Sequence, residues 1–210
     1  MYVRLKHALS ALALEAIRRP RRGVHRDAAM WLAAFCDLAG ARAGGPAADR
    51  PLAGVASRAR HLGARSRAAL PWIVREGLLE LRDGTVRLPD GFQPHFAYMD
   101  RQTHRLQAAL RQLAARPPER GRAGAIRRGL VLLDAGLFFE CHEYFEDLWR
   151  RAPAEERDFY RGIIHIAAGL YHYEKGNAHG ARTKLASGMR LLAGFQAPRS
   201  PGGESVGGRR

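Results

Sequence analysis

The chain has 210 residues, 46% of them apolar, which is enough for one large domain or two small ones with a real core. No run of 18 apolar residues occurs, the N-terminus lacks a secretory pattern, and the two cysteines stand far apart. A membrane span, a cleaved leader, a disulfide framework and a zinc ribbon are therefore not expected, and the chain reads as cytoplasmic. The net charge of +15 is unevenly spread: residues 1–136 hold 24 basic and 11 acidic residues, whereas 137–195 hold 8 of each. That split points to a polyanionic partner for the N-terminal part, although only three of the 35 basic residues are lysine and arginine-rich coding bias is the plainer source.

In chain order, residues 2–18 form an amphipathic helix with Leu5, Leu9, Leu12 and Ala16 on one face. Pro20 and Gly23 stop it among Arg18, Arg19, Arg21 and Arg22. Asp27 is placed to cap a second helix, 28–39, and 40–51 reads as a Gly/Pro/Ala loop. A short helix at 52–61 leads into another at 65–76. Two strand-like runs, Leu78–Arg82 and Thr85–Leu88, then flank Asp83-Gly84, the strongest short hairpin signal. This order resembles a winged-helix domain over about 25–90. Under that resemblance Arg65, Arg67 and Arg75 decorate the recognition helix, and Arg82 and Arg87 the wing. Winged helices also serve as protein-interaction modules, and Pro71 disturbs the recognition helix unless the helix begins after 65.

A basic amphipathic helix follows at 95–116 and ends at Pro117-Pro118. The remainder reads as helices at 119–135, 137–150, 155–174 and 178–193, with 196–210 a disordered tail. The expected fold is mainly α: a basic winged-helix-like module with a short β-hairpin (1–92), a connecting helix (93–118) and an antiparallel helical bundle (119–195).

Helix 137–150 carries chemistry. At 100° per residue, His142, Glu146 and Trp149 fall within about 60° of one another, alongside Phe138 and Phe139. Glu143 reaches the edge of that sector, and Glu140, about 160° away, is expected in solvent. The facing helix offers His165, Gly169 and His172, with Gly162 permitting close approach, and Asn177 marks a helix restart. The block Phe138–Trp149 resembles the F-x-E-x-H-E-x-x-E-x-x-W signature of the domain of unknown function family 309 (DUF309). Arg161–Ala168 and Gly176-Asn177-x-x-Gly180-Ala181 are similar to that family's second and third blocks, so the resemblance covers about 120–193. It implies a small all-helical bundle without an established activity. Where the family more often has glutamine, this chain has His165.

Three readings of the polar seam are open. His142, Glu143, Glu146, Trp149, His165, His172 and Asn177 can form a buried hydrogen-bond network that fixes helix register. They can line a pocket for a small ligand. Or His142, Glu146 and His165 can hold a divalent metal for hydrolysis. The expected role is non-enzymatic: binding of nucleic acid or protein by the basic part and scaffolding by the bundle. No cofactor is required, a divalent metal is the alternative, and homo-oligomerisation is left open.

Overall fold

The computed structural model describes residues 1–40, 48–115, 117 and 119–195. The expected tail, 196–210, and most of the 40–51 loop lie outside the described residues. The described chain is mainly helical with one small three-stranded sheet. It groups into two compact units, Met1–Cys141 and His142–Arg210.

In the first unit the apolar rows behave as their spacing demands. Helix α1 (Tyr2–Arg18) buries Leu5, Leu9, Leu12 and Ala16, joined by Ala13 and Ile17. Helix α2 (Val24–Gly40) buries a nearly continuous apolar face through Phe35, Cys36 and Ala39. It begins earlier than expected, so Asp27 lies inside its first turn and does not cap it. The Asp27 side chain turns to another task. Only 4% of the residue is exposed, and one carboxylate oxygen accepts the backbone N–H groups of Arg65 and Ser66 at 2.8 and 2.6 Å. The other oxygen accepts from Arg26 Nη1 at 2.6 Å.

That pin shapes the next helices. Helix α3 (Leu52–His61) is followed by a turn, and α4 (Ala69–Arg75) starts four residues later than the expected position 65. Pro71 therefore sits in the first turn of α4, where no preceding carbonyl awaits its missing N–H. Arg65 and Arg67 belong to the turn, not to the helix. Strands β2 (Glu80–Arg82) and β3 (Thr85–Arg87) form the expected hairpin. Asp83 (φ 44°) and Gly84 (φ 73°) both take the left-handed conformation that a two-residue hairpin turn requires. A third strand, β1 (Arg50–Pro51), pairs antiparallel with β3, giving the order β1-β3-β2. Two residues ending in proline carry no alternation to read; Pro51 is tolerated because β1 is an edge.

A 3₁₀ turn (Asp90–His95) leads into α5 (Phe96–Ala114), whose Tyr98, Met99, Leu106, Leu110 and Leu113 are buried. Helix α5 packs on α1, α2 and α6 (Gly121–Asp134). His104 ties it to α2: Nε2 lies 2.9 Å from Asp37 Oδ1, and Nδ1 2.9 Å from the Asp100 carbonyl. Burial opposes charge on this ring, but the Asp37 and Asp100 contacts prevail and raise its pKa above 6.5. A raised folded-state pKa stabilises most below the unfolded value and loses that stabilisation as pH rises through the folded one. The stability difference between the parent chain and His104→Ala should therefore be largest in mild acid and shrink toward alkaline pH. Urea titrations at several pH values check this, and a difference that grows with pH contradicts it.

Helix α7 (Phe138–Arg151) begins in the first unit, after Gly136 (φ 75°) closes α6. Glu140 corrects the expectation of a solvated carboxylate, being only 2% exposed among Leu9, Leu12, Gln102, Thr103 and Leu106.

The second unit comprises α7 from His142 onward, a 3₁₀ turn (Ala154–Glu156), α8 (Arg157–Glu174) and α9 (Ala178–Gly194). Helices α8 and α9 form a close hairpin through Gly176 (φ 74°). A β-carbon on Gly162 would lie 2.7 Å from Leu192 Cγ, and one on Gly169 2.7 Å from Leu185 Cγ. The expected close approach is present. Tyr173 on α8 is exposed. Asn177 caps α9, its Oδ1 accepting the Gly180 N–H at 2.9 Å. Asn177→Ala should cost about 1 kcal/mol, read as a lower thermal midpoint for this hairpin.

Candidate functional site

Two groups of side chains stand out, one in each unit. In the first, the α3–α4 turn presents Arg65 and Arg67, both exposed. Arg65 Nη1 donates to the carbonyls of Arg60 and Ala64, which fixes the guanidinium without neutralising it. Arg67 has no ion pair among the described residues. Arg75 meets Glu76 at 3.1 Å. The hairpin arginines are less available: Arg82 and Arg87 each lie 3.6 Å from Glu80, and Arg87 also pairs with Asp90. Positive charge is thus concentrated at the turn, and Arg60 in the last turn of α3 adds a third exposed guanidinium.

In the second unit, α7 brings His142, Glu143 and Glu146 together. His142 Nδ1 lies 3.2 Å from Glu143 Oε1, and Nε2 4.0 Å from Glu146 Oε1. One ligand atom from each can be chosen so that all three lie within 4.8 Å of one another. All three residues are half-buried. Arg150 Nη2 holds Glu146 Oε2 at 2.8 Å. That i, i+4 partner was visible in the spacing yet had no place in the expected set. Trp149 is present but bonds to none of them: its indole Nε1 is buried without a hydrogen-bond partner among the described residues, and the Arg157 guanidinium lies 5.9 Å from its ring centroid.

The rest of the seam is divided. His165 Nδ1 lies 3.0 Å from Ser187 Oγ on α9. Burial lowers the His165 pKa first, followed by its electrostatic interactions with Lys184, Arg161 and His142. His142 is therefore within electrostatic reach. His172 sits seven residues further along α8, about 10 Å at 1.5 Å per residue, and its Nδ1 lies 3.2 Å from Asn177 Nδ2. These two belong to the α8–α9 turn and are not joined to the His142 group by any hydrogen bond among the described residues. Ser187 had no local signal in the sequence, because a hydroxyl on a helix reveals nothing until its neighbour across the interface is known. Neither cysteine offers a nucleophile: burial pushes both thiols well above their ordinary pKa, with nearby carboxylates adding to the shift.

The His142 group lies inside a stretch with known relatives. Residues 126–183 match the family model of a domain of unknown function, DUF309. The match contains all three motif blocks that carried the resemblance. Over 56 residues the chain is 38% identical to the uncharacterized protein YpuF of Bacillus subtilis (strain 168), a stretch that is 26% of this chain and 32% of the relative. The chain therefore spans about a third of that relative's length. No solved structure gives a significant match. Among the described residues, no helix is long and apolar enough to cross a membrane.

Proposed function

We propose that residues 1–92 are a nucleic-acid-binding module of winged-helix type and that the DUF309-like segment is a non-enzymatic helical partner domain. The observation that carries this is topological: helix α2, strand β1, helices α3 and α4 and the β2–β3 hairpin follow one another, with β3 central in the sheet. In such a module the second helix of the α3–α4 pair approaches a nucleic-acid groove and the hairpin flanks it. The charge on this chain argues for the turn as the contact, since Arg60, Arg65 and Arg67 face solvent while Glu80 and Asp90 offset the hairpin. Seven residues of α4, of which Pro71 and Arg75 are exposed, give few base-reading side chains. The binding is therefore dominated by phosphate contacts and depends weakly on sequence.

Fluorescence anisotropy with labelled duplexes across a salt series tests this. Log affinity should fall linearly with log salt, and Arg65→Gln with Arg67→Gln should reduce the slope by about two. No binding at low salt, or a slope unchanged by the double substitution, removes the reading.

A second reading is favoured by one observation, the convergence of His142, Glu143 and Glu146. Imidazole with two carboxylates suits zinc, manganese or iron, and three protein ligands leave a position open for water or substrate. A bound metal would supply a Lewis acid and an activated water at that position. His142 and Glu143 can ligate as they stand, whereas Glu146 must share its carboxylate with Arg150. Elemental analysis of the purified protein decides: a stoichiometric metal lost in His142→Ala supports this reading, and a metal-free protein ends it.

A further inference from the structure

A cavity of about 390 Å³ opens in the first unit where the C-terminus of α1 and the turn after it meet α6. Its lining is unusual in charge. Arg18, Arg19, Arg21 and Arg22 come from the α1 end, Arg127 and Arg128 from α6, and one carboxylate, Glu119, opposes them. Leu113, Pro20 and Pro117 supply an apolar wall.

The plain explanation is that arginines at a helix C-terminus complement its dipole and are otherwise solvated. It accounts for Arg18, which also pairs with Glu15, and for its immediate neighbours. It does not account for Arg127. That side chain is only 18% exposed and stands midway along α6, not at a helix C-terminus. Nη1 of Arg127 bonds Glu119 Oε1 at 3.0 Å and the Pro117 carbonyl at 3.3 Å, but Nη2 is buried with no partner among the described residues. A buried guanidinium nitrogen without an acceptor is costly. Helix α6 also has no acidic residue in its first turn and no side-chain cap, so Glu119 is the one carboxylate beside this charge among the described residues. Arg19 and Arg22 are exposed and form no ion pair or hydrogen bond among the described residues.

We propose that this cavity binds a small molecule carrying a di- or triphosphate together with an apolar or aromatic group. Arg19 and Arg22, which form no ion pair among the described residues, together with the unpartnered Nη2 of Arg127, call for an anion of more than one charge. Planar guanidinium forks match phosphate oxygens bidentately. The volume is that of a small-ligand site, and the wall of Leu113, Pro20 and Pro117 suits a flat apolar moiety beside the phosphates. A nucleic-acid backbone would be served better by a long stripe of charge than by a half-open pocket of this size. The site is distinct from the Arg65–Arg67 turn and does not depend on nucleic-acid binding there.

The test is calorimetric titration of the full chain with ATP, inorganic pyrophosphate and adenosine at physiological salt. ATP should bind most tightly, pyrophosphate more weakly and adenosine not at all. Arg19→Gln with Arg22→Gln, both at exposed positions, should weaken ATP binding by about tenfold, the scale of one or two lost charge-assisted hydrogen bonds, with an unchanged melting temperature. Arg127→Gln should weaken it further. The proposal is overturned if neither ATP nor pyrophosphate binds. It is overturned equally if the Arg19/Arg22 variant binds ATP as the parent does, or if a single-stranded oligonucleotide is the only probe whose binding that variant loses.

Discussion

Asp27→Ala should be among the most destabilising single substitutions in the first unit, costing about 2–4 kcal/mol. One carboxylate oxygen holds two consecutive backbone N–H groups, those of Arg65 and Ser66, and the other holds Arg26. A hydrogen bond to an ionised acceptor contributes roughly 1.5–3 kcal/mol, and stranded donors add their own desolvation cost. The donors here are only part-buried, so water replaces some of what alanine removes, which sets the upper end of the range. Asp27→Asn keeps one acceptor oxygen while losing the charge, and should fall between the parent and alanine. Urea unfolding reads both: the midpoint shifts while the slope stays constant, because the folded core is the same. The pin also sets where Arg65 and Arg67 stand, so the nucleic-acid binding proposed for that turn should weaken in Asp27→Ala under conditions where the unit is still folded. If Asp27→Ala unfolds at the parent's midpoint, the carboxylate does not organise the turn.

Asp27 also marks the boundary of what the sequence could reveal. An aspartate before an apolar helical run reads as a cap, since the spacing rules concern its own helix. Its true partners lie nearly forty positions away, and no local pattern encodes them. The Asp83-Gly84 hairpin was legible for the opposite reason, as everything that determines it lies within eight residues. Pro71 raised the correct question about where α4 begins, but the answer depended on a turn fixed from α2. Glu140 shows the same limit on a helix. Periodicity placed it opposite His142 correctly, yet an angle says where residues lie relative to each other and not which side is covered. Apolar residues of α1 and α5 surround it, so both faces of α7 carry buried or half-buried acids. At the candidate site, the triad of His142, Glu143 and Glu146 was readable because it occupies five positions of one helix. The division of the remaining seam was not, because Ser187 and the His172–Asn177 pair depend on how α8 meets α9.

That meeting is where the second large effect is expected. A glycine-to-alanine change inside a helix ordinarily stabilises by about 1 kcal/mol through backbone entropy. In α9 the sign should reverse at Gly188. A β-carbon there would lie 2.8 Å from the Gly162 carbonyl oxygen and 2.9 Å from two atoms of Ile166. Overpacking typically costs 1–3 kcal/mol, and the main contact is backbone, which moves only if α8 and α9 separate. Separation would also loosen the Leu185 and Leu192 contacts on Gly169 and Gly162. A net loss of about 1–2 kcal/mol is therefore expected, the upper part of the overpacking range less the propensity gain. Gly162→Ala should be milder, since the tight contact it makes first is with a leucine side chain that can change rotamer. Gly194→Ala, with nothing within 4 Å of its β-carbon, should be neutral or slightly stabilising. Circular dichroism melts of the three variants give the order, and hydrogen exchange of α8 and α9 amides locates the change in this unit rather than in the whole chain. A Gly188→Ala protein at least as stable as Gly194→Ala would mean that the helices are not held at this distance, and the placement of His165 against Ser187 would lose its support with it.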